Sequence, residues 1–415
     1  MSSLHLAYAL VGGLAVVLAA ISSRMRDLPL SEPLLALLLG VVVGPQLLGL
    51  LDLSASQRPV LLEEGTRLLL AVSLMGVALR YPVRRLLPIV PTTAVLVVLG
   101  MLAMAATTAV LARLVLGVPL ALAALLGACV APTDPVLASS VVTGTPAERD
   151  LPARTRQLLS MESGANDGLA LPLVLLGTAV VLGHSTGRSA LDGLYQVAVG
   201  LVVGVVVGLL AGRAVSVALR RDDVDPGASL VFTIVLAVAA LGIARLLEAD
   251  GILAVFVTGL AYNAAVAQDE VGPQHTIDEG VNRFLVLPVF VLLGVELPWA
   301  AWADLGAAGV ALVVTVLLLR RLPVLLLLAR PLGLRLRDAV FLGWFGPIGV
   351  SALFYLVFSH SEGVTDPRLW AAGTLLVTAS TVVHGVSSAP GRRAYSRAAA
   401  RNRTPHSGDG RATGA

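Results

Sequence analysis

The sequence predicts an all-α polytopic membrane protein of about thirteen transmembrane helices, and two observations carry that prediction. First, 57% of the 415 residues are hydrophobic and only 13% are charged, with a mean hydropathy of +0.88; soluble domains carry about 25% charged residues. Second, apolar runs of roughly 20 residues, each long enough to span a bilayer as a helix, recur as far as residue 388. The candidate spans lie near 5–22, 28–50, 62–80, 88–116, 118–141, 156–183, 190–218, 227–248, 250–267, 281–297, 304–329, 337–359 and 366–387.

The first run has no basic segment before it, and Arg24 and Arg26 follow it. It reads as a retained helix with its N-terminus outside rather than a cleaved signal. The arginines as a whole test the span count. Odd-numbered connections hold 14 of them and even-numbered connections hold five, with six more after residue 388 on the side of the 14. Positive charge concentrates on the cytoplasmic side, so the odd connections and the C-terminus are expected there, in a multi-pass protein of the cell membrane. Residues 1–388 form the membrane domain in this reading, and 389–415, small, polar and basic, form a disordered cytoplasmic tail. No lysine is present, which excludes intramembrane chemistry that needs a lysine amine. Cys129 is the sole cysteine, so no intrachain disulfide can form, and it is expected to pack as a small apolar residue.

Three pieces recur at nearly one offset. Gly44 in "LGVVVGP" aligns with Gly259 in "LAVFVTG", Gly76 in "SLMGVALRYP" with Gly294 in "VLLGVELPW", and Pro132 in "APTDPV" with Pro347 in "FGPIGV". These pair the second span with the ninth, the third with the tenth and the fifth with the twelfth. A shift of seven spans is odd, so the two copies, about 1–183 and 227–388, have opposite topology. Inverted repeats with helices broken by glycine or proline in matching places are a mark of secondary transporters.

The polar residues gather at those breaks. In the fifth span Pro132 and Pro135 flank Thr133 and Asp134, removing helical hydrogen bonds and pushing the preceding residues towards extended backbone. In the twelfth, Gly346, Pro347 and Gly349 make a second break. Unwound backbone at membrane depth must line a cavity or be covered by protein. Its carbonyls and the Thr133 hydroxyl then become ligands for a hard cation, and Asp134 can balance the positive N-terminal helix ends that meet there. The sixth span opens with "MESGANDGLALP". At about 100° per residue, Glu162, Ser163, Asn166 and Asp167 fall within an arc of roughly 140°, facing away from lipid. Burial favours the protonated acid and a nearby cation favours the ionised one, so protons and a metal cation compete for Asp167. An all-oxygen site suits Na⁺ or K⁺, whereas a transition metal would want His or Cys. The eleventh span carries Arg320 and Arg321; a bare arginine at that depth is costly and needs a partner, for which Glu162 is the natural choice. His384, near the end of the last span, reads as interfacial.

These stretches, "APTDPVLASSVVTG", "LLSMESGANDGLALP" and "LLLRRLP…FLGWFGPIGVSALFY", closely resemble the monovalent cation/proton antiporter-1 family of sodium/proton exchangers. The last is most similar to the fungal plasma-membrane alkali-cation antiporters and their bacterial relatives. The resemblance implies a homodimer of thirteen-helix protomers with the sodium/proton antiporter fold, in which helices 5 and 12 are discontinuous and cross. It implies a core near 88–183 and 304–388 that moves like an elevator against a dimer scaffold. By motif, Asp167 would bind cation and proton, and Asp134, Ser163 and the Thr133 carbonyl would complete the Na⁺ site. Asn166 would be the neutral partner that marks electroneutral members, and Glu162 would pair with an arginine of the eleventh span, with Arg320 favoured over Arg321. Family members often carry an acidic residue midway along the third span; "LLLAVSLMGVAL" has none.

The expectation is therefore an electroneutral secondary active transporter, not an enzyme, exchanging Na⁺ (or Li⁺ or K⁺) for H⁺ without a cofactor or a nucleic-acid partner. A sodium-coupled solute symporter of similar fold is one alternative, and would need a larger polar pocket. An intramembrane aspartyl protease, with two carboxylates sharing a proton, is another. Against it, no Gly-x-Gly-Asp signature lies in the membrane region.

Overall fold

The computed structural model describes residues 2–20, 31–51, 57–221, 226–266 and 285–401. Among the described residues every regular element is helical. In chain order they are α1 (Ser2–Ala20), α2 (Glu32–Val43), α3 (Gln57–Leu79), α4 (Val83–Leu116), α5 (Leu120–Cys129), α6 (Pro135–Val142), α7 (Gly144–Asp150), α8 (Ala153–Leu169) and α9 (Leu171–Leu182). The second half runs α10 (Thr186–Arg220), α11 (Pro226–Leu246), α12 (Gly251–Ala265), α13 (Leu285–Val295), α14 (Trp299–Leu319), α15 (Leu322–Ala329), α16 (Leu336–Trp344), α17 (Val350–Ser361) and α18 (Pro367–Arg401). Among the described residues five helical stretches are long and apolar enough to cross a membrane: Val83–Leu116, Ala153–Leu182, Thr186–Ala218, Trp299–Ala329 and Pro367–Ala400.

Several shorter helices are halves of expected spans. The fifth span divides into α5 and α6 around residues 130–134, and the twelfth into α16 and α17 around 345–349. Proline supplies no N–H and its ring obstructs the preceding turn, so Pro132, Pro135 and Pro347 break the chain where the sequence reading placed the interruptions. Pro323 acts similarly between α14 and α15, leaving Arg320 and Arg321 at the junction. The last helix departs from expectation. It continues to Arg401, so residues 389–401 are helix rather than the start of a disordered tail, and 402–415 lie outside the described residues. Contacts hold this extension: the Arg392 guanidinium donates to the Ser140 carbonyl at 2.6 Å, and the Tyr395 hydroxyl donates to the Asp338 carboxylate.

Helices in a bilayer gain little from burying apolar surface against one another, so close backbone approach through small residues holds them together. Helix α10 shows this directly. Gly200, Gly204, Gly208 and Gly212 repeat every fourth residue, and a Cβ on any of them would meet the Asp250–Ala265 stretch. The outward face of the same helix exposes Leu194, Val202, Val206 and Leu210, a surface suited to lipid rather than water. Gly40 of α2 meets Gly294 of α13, and Gly259 of α12 meets Met75 and Ala78 of α3. These two crossings exchange with one another under the pairing of second with ninth and third with tenth spans.

Candidate ion-binding site

Each helix break leaves backbone donors and acceptors that the helix itself cannot satisfy, and two charged residues from different spans satisfy them here. The Asp134 carboxylate accepts the Val136 and Leu137 N–H groups at 2.7 and 2.9 Å through Oδ1. Through Oδ2 it accepts the Val350 N–H. One carboxylate thus caps the N-termini of both α6 and α17, where negative charge is stabilised by the helix dipoles. Gly349 is required by this closeness, because a Cβ there would overlap the Asp134 carboxyl group. The Arg320 guanidinium does the converse at the negative helix ends. It donates to the Val130 carbonyl, to Ala131 and Pro132 at 3.2 and 3.4 Å, and to Gly346 at 2.6 Å. The breaks also bond to each other, the Asp134 N–H donating to the Pro347 carbonyl at 2.9 Å.

The arginine pairing is a correction. Arg321, not Arg320, holds Glu162: two parallel bonds of 2.5 and 2.6 Å join its terminal nitrogens to the two carboxylate oxygens, and its Nε donates to the Leu342 carbonyl at 2.8 Å. Arg320 is occupied by the backbone of the breaks. Both arginines are buried, so neither reaches out to the membrane surface. The Arg321 side chain fills the space beside Gly346, where a Cβ would collide with it.

Helix α8 presents the rest. Ser163, Asn166 and Asp167 are fully buried, as are Thr133 and Asp134. Asn166 Nδ2 donates to Thr133 Oγ1 at 2.9 Å, and its Oδ1 accepts the Thr133 N–H at 3.2 Å. The Ser163 hydroxyl lies 3.1 Å from Thr133 Oγ1. Asn166 is therefore both donor and acceptor to one residue of the break, a pair of roles a carboxylate cannot fill. Asp167 differs from all of these: neither of its carboxylate oxygens has a hydrogen-bond partner among the described residues. Asp134 lies near enough to act on the Asp167 carboxylate electrostatically, and Ser351 stands beside it.

The structure thus brings together Thr133, Asp134, Ser163, Asn166 and Asp167, ringed by Glu162, Arg320, Arg321 and the prolines and glycines of the breaks. Sequence reasoning missed Ser351 and Tyr355 of α17. The Tyr355 hydroxyl donates to the Asp167 main-chain carbonyl. A signal existed: Ser351, Tyr355 and Ser359 recur every fourth residue on one face of a helix that is apolar elsewhere up to His360, and all three are buried. Cys129 packs in the core as expected, 3.6 Å from the Ser359 hydroxyl. His384 is not interfacial but buried, with both ring nitrogens engaged.

The model of the family described as "Sodium/hydrogen exchanger, transmembrane" matches residues 13–391. Na(+)/H(+) antiporter 2 of Zygosaccharomyces rouxii is 32% identical over 382 residues, covering 86% of this chain and 46% of that protein. The Na(+)/H(+) antiporter of Saccharomyces cerevisiae is 30% identical over 383 residues, covering 87% and 38%. The chain therefore spans about half the length, or less, of these curated relatives. The sodium proton antiporter MjNhaP1 from Methanocaldococcus jannaschii shares the fold, with a TM-score of 0.76 at 19% identity over 97% of this chain and 99% of that one. A family match over nearly the whole length, on a helical membrane fold crossed by two broken helices, assigns it: the chain is a multi-pass membrane protein that belongs to the transmembrane sodium/hydrogen exchanger family.

Proposed function

We propose that this chain exchanges a monovalent alkali cation, Na⁺ with Li⁺ or K⁺ as alternatives, for H⁺, one for one. The observation that carries the reading is the Asp167 carboxylate, buried and without a hydrogen-bond partner among the described residues. An ionised carboxylate in that setting is costly unless paired, so it must bind a proton or a cation. Binding of one then displaces the other. Ser351 supplies a neutral oxygen beside it, Ser163 and Thr133 would add theirs from α8 and the break, and Asp134 adds negative charge while its own oxygens stay fixed by three N–H groups.

In this reading the core near 88–183 and 304–388 carries the site across the membrane against the remaining helices of a homodimer, with the N-terminus outside and the C-terminus cytoplasmic. The relatives' names support the substrate class, and the fold supports alternating access. Electroneutrality rests on Asn166: with Glu162 neutralised by Arg321 and Asp134 held by backbone dipoles, Asp167 is, of these three carboxylates, the one left to change partners.

The test is transport in everted membrane vesicles loaded with a pH-sensitive dye. Addition of Na⁺ should dequench the dye at a rate independent of membrane potential. Asn166→Asp should make that rate respond to an imposed potential. It should also slow exchange about tenfold, the equivalent of one lost buried hydrogen bond to Thr133 Oγ1. If exchange by Asn166→Asp ignores the potential, the one-for-one argument loses its basis.

A further inference from the structure

Helix α18 has a polar stripe along one face that the ion site, as described so far, does not use. Ser380, His384, Ser387, Gly391 and Tyr395 follow one another at steps of three or four residues, the spacing of neighbours on a helix surface. All five face α16 or the 345–349 break. Ser380 Oγ accepts the Ile348 N–H at 2.8 Å, and His384 Nε2 lies 2.9 Å from the Trp344 carbonyl. Trp344 Nε1 donates to Ser387 Oγ at 3.1 Å, Gly391 faces the Phe345 ring, and the Tyr395 hydroxyl donates to Asp338 in the first turn of α16.

Each ring nitrogen of His384 faces a main-chain carbonyl, Nε2 that of Trp344 and Nδ1 that of Ser380, both at 2.9 Å, and a carbonyl only accepts, so the ring N–H donates to one of them. Ser380 Oγ lies 3.0 Å from Nδ1 and also accepts the Ile348 N–H. Ile348 N–H, Ser380, His384 and the Trp344 carbonyl thus form one relay that closes over both sides of the break. Two residues beyond Ile348, the Val350 N–H caps Asp134, and the next residue, Ser351, approaches Asp167.

We infer that His384 and Ser380 are positioning residues for the ion site. From behind the break, they hold the chain at 344–348 so that Val350 and Ser351 face the two carboxylates. The inference rests on the proposed exchange for its kinetic readout, but not for its structural one. His384→Leu removes both hydrogen bonds at similar bulk, whereas His384→Gln keeps a donor and an acceptor. Two measurements decide: backbone hydrogen exchange of the peptide covering 345–351, and the Na⁺ dependence of transport. His384→Leu should speed amide exchange in that peptide about tenfold and raise the apparent KM for Na⁺ about tenfold, with kcat within about twofold of wild type. His384→Gln should restore both.

Ser380→Ala, a smaller change, should shift both readouts in the same direction, and it decides the matter if His384→Leu does not fold. Unchanged amide exchange in these variants overturns the inference. Faster exchange with an unaltered KM also overturns it, since the stripe would then be mere packing. If the wild-type protein itself exchanges no cation for protons, the proposed function fails, and the hydrogen-exchange comparison alone decides whether the brace exists.

Discussion

Asp167→Asn is expected to abolish cation-driven proton movement, lowering exchange by at least about a thousandfold, while leaving the protein folded. The amide is nearly isosteric with the acid, but it can neither release a proton nor neutralise a cation. In a buried site a charge pairing of several kcal/mol is at stake, and about 4 kcal/mol already corresponds to three decades in binding. Stability should move the other way. Among the described residues the carboxylate has no hydrogen-bond partner on either oxygen, so replacing it with a neutral group removes a desolvation cost rather than a bond. A melting temperature equal to or above wild type, together with loss of Na⁺-dependent dequenching, is the expected pattern. Substantial transport by Asp167→Asn in the same vesicles would sink the proposed mechanism.

The largest effect on stability is expected from Arg321→Ala. Removing one member of a buried ion pair leaves the other charged and unpaired, which typically costs about 3–5 kcal/mol. Here the loss includes two bonds to Glu162, the bond to the Leu342 carbonyl and the side-chain volume packed beside Gly346. The detergent-solubilised variant should melt lower by roughly 5 °C or more. Glu162→Gln should cost less, because a neutral amide can still accept from the guanidinium. The double variant Glu162→Gln with Arg321→Met should fall short of the summed losses, as coupled sites do, since no charge is then stranded. Equal melting of Arg321→Ala and wild type, or strict additivity in the double variant, would mean the pair carries none of the fold's stability. Arg320→Ala would act differently: it frees carbonyls at both breaks and would disturb the site before it disturbed the helix bundle.

The two arginines also show where sequence reasoning stops. Adjacent residues at the end of a helix point in directions about 100° apart. Nothing local states which of them faces α8 and which faces the crossing. The choice of Arg320 for Glu162 was overturned because the breaks present a cluster of unsatisfied carbonyls that takes the first guanidinium. Those carbonyls and Glu162 belong to segments between 26 and 190 residues away in sequence. His384 was misjudged for a related reason. A histidine near the end of an apolar run resembles an interfacial anchor until Trp344 and Ser380 are seen to bond it.

What could be read from the sequence follows from rules that act along the chain. Hydropathy over some twenty residues marks a membrane helix, and so the all-helical membrane class was legible. A proline removes a donor wherever it stands, and so both breaks and the exposed backbone of Thr133 and Asp134 were legible. Helical periodicity put Glu162, Ser163, Asn166 and Asp167 on one arc, a statement that needs no knowledge of neighbours. Only the tertiary structure decided which partner each polar group takes. It gave Asp134 to two helix N-termini, Arg320 to the opposite ends, Arg321 to Glu162 and Asn166 to Thr133, and it left the Asp167 carboxylate without a hydrogen bond among the described residues. It also brought up Ser351 and Tyr355, and it extended the last helix to Arg401 through contacts with Ser140 and Asp338. The physical reason is that a buried polar group must be satisfied, but the sequence states only that a partner is needed. Which partner it gets depends on segments brought together by packing.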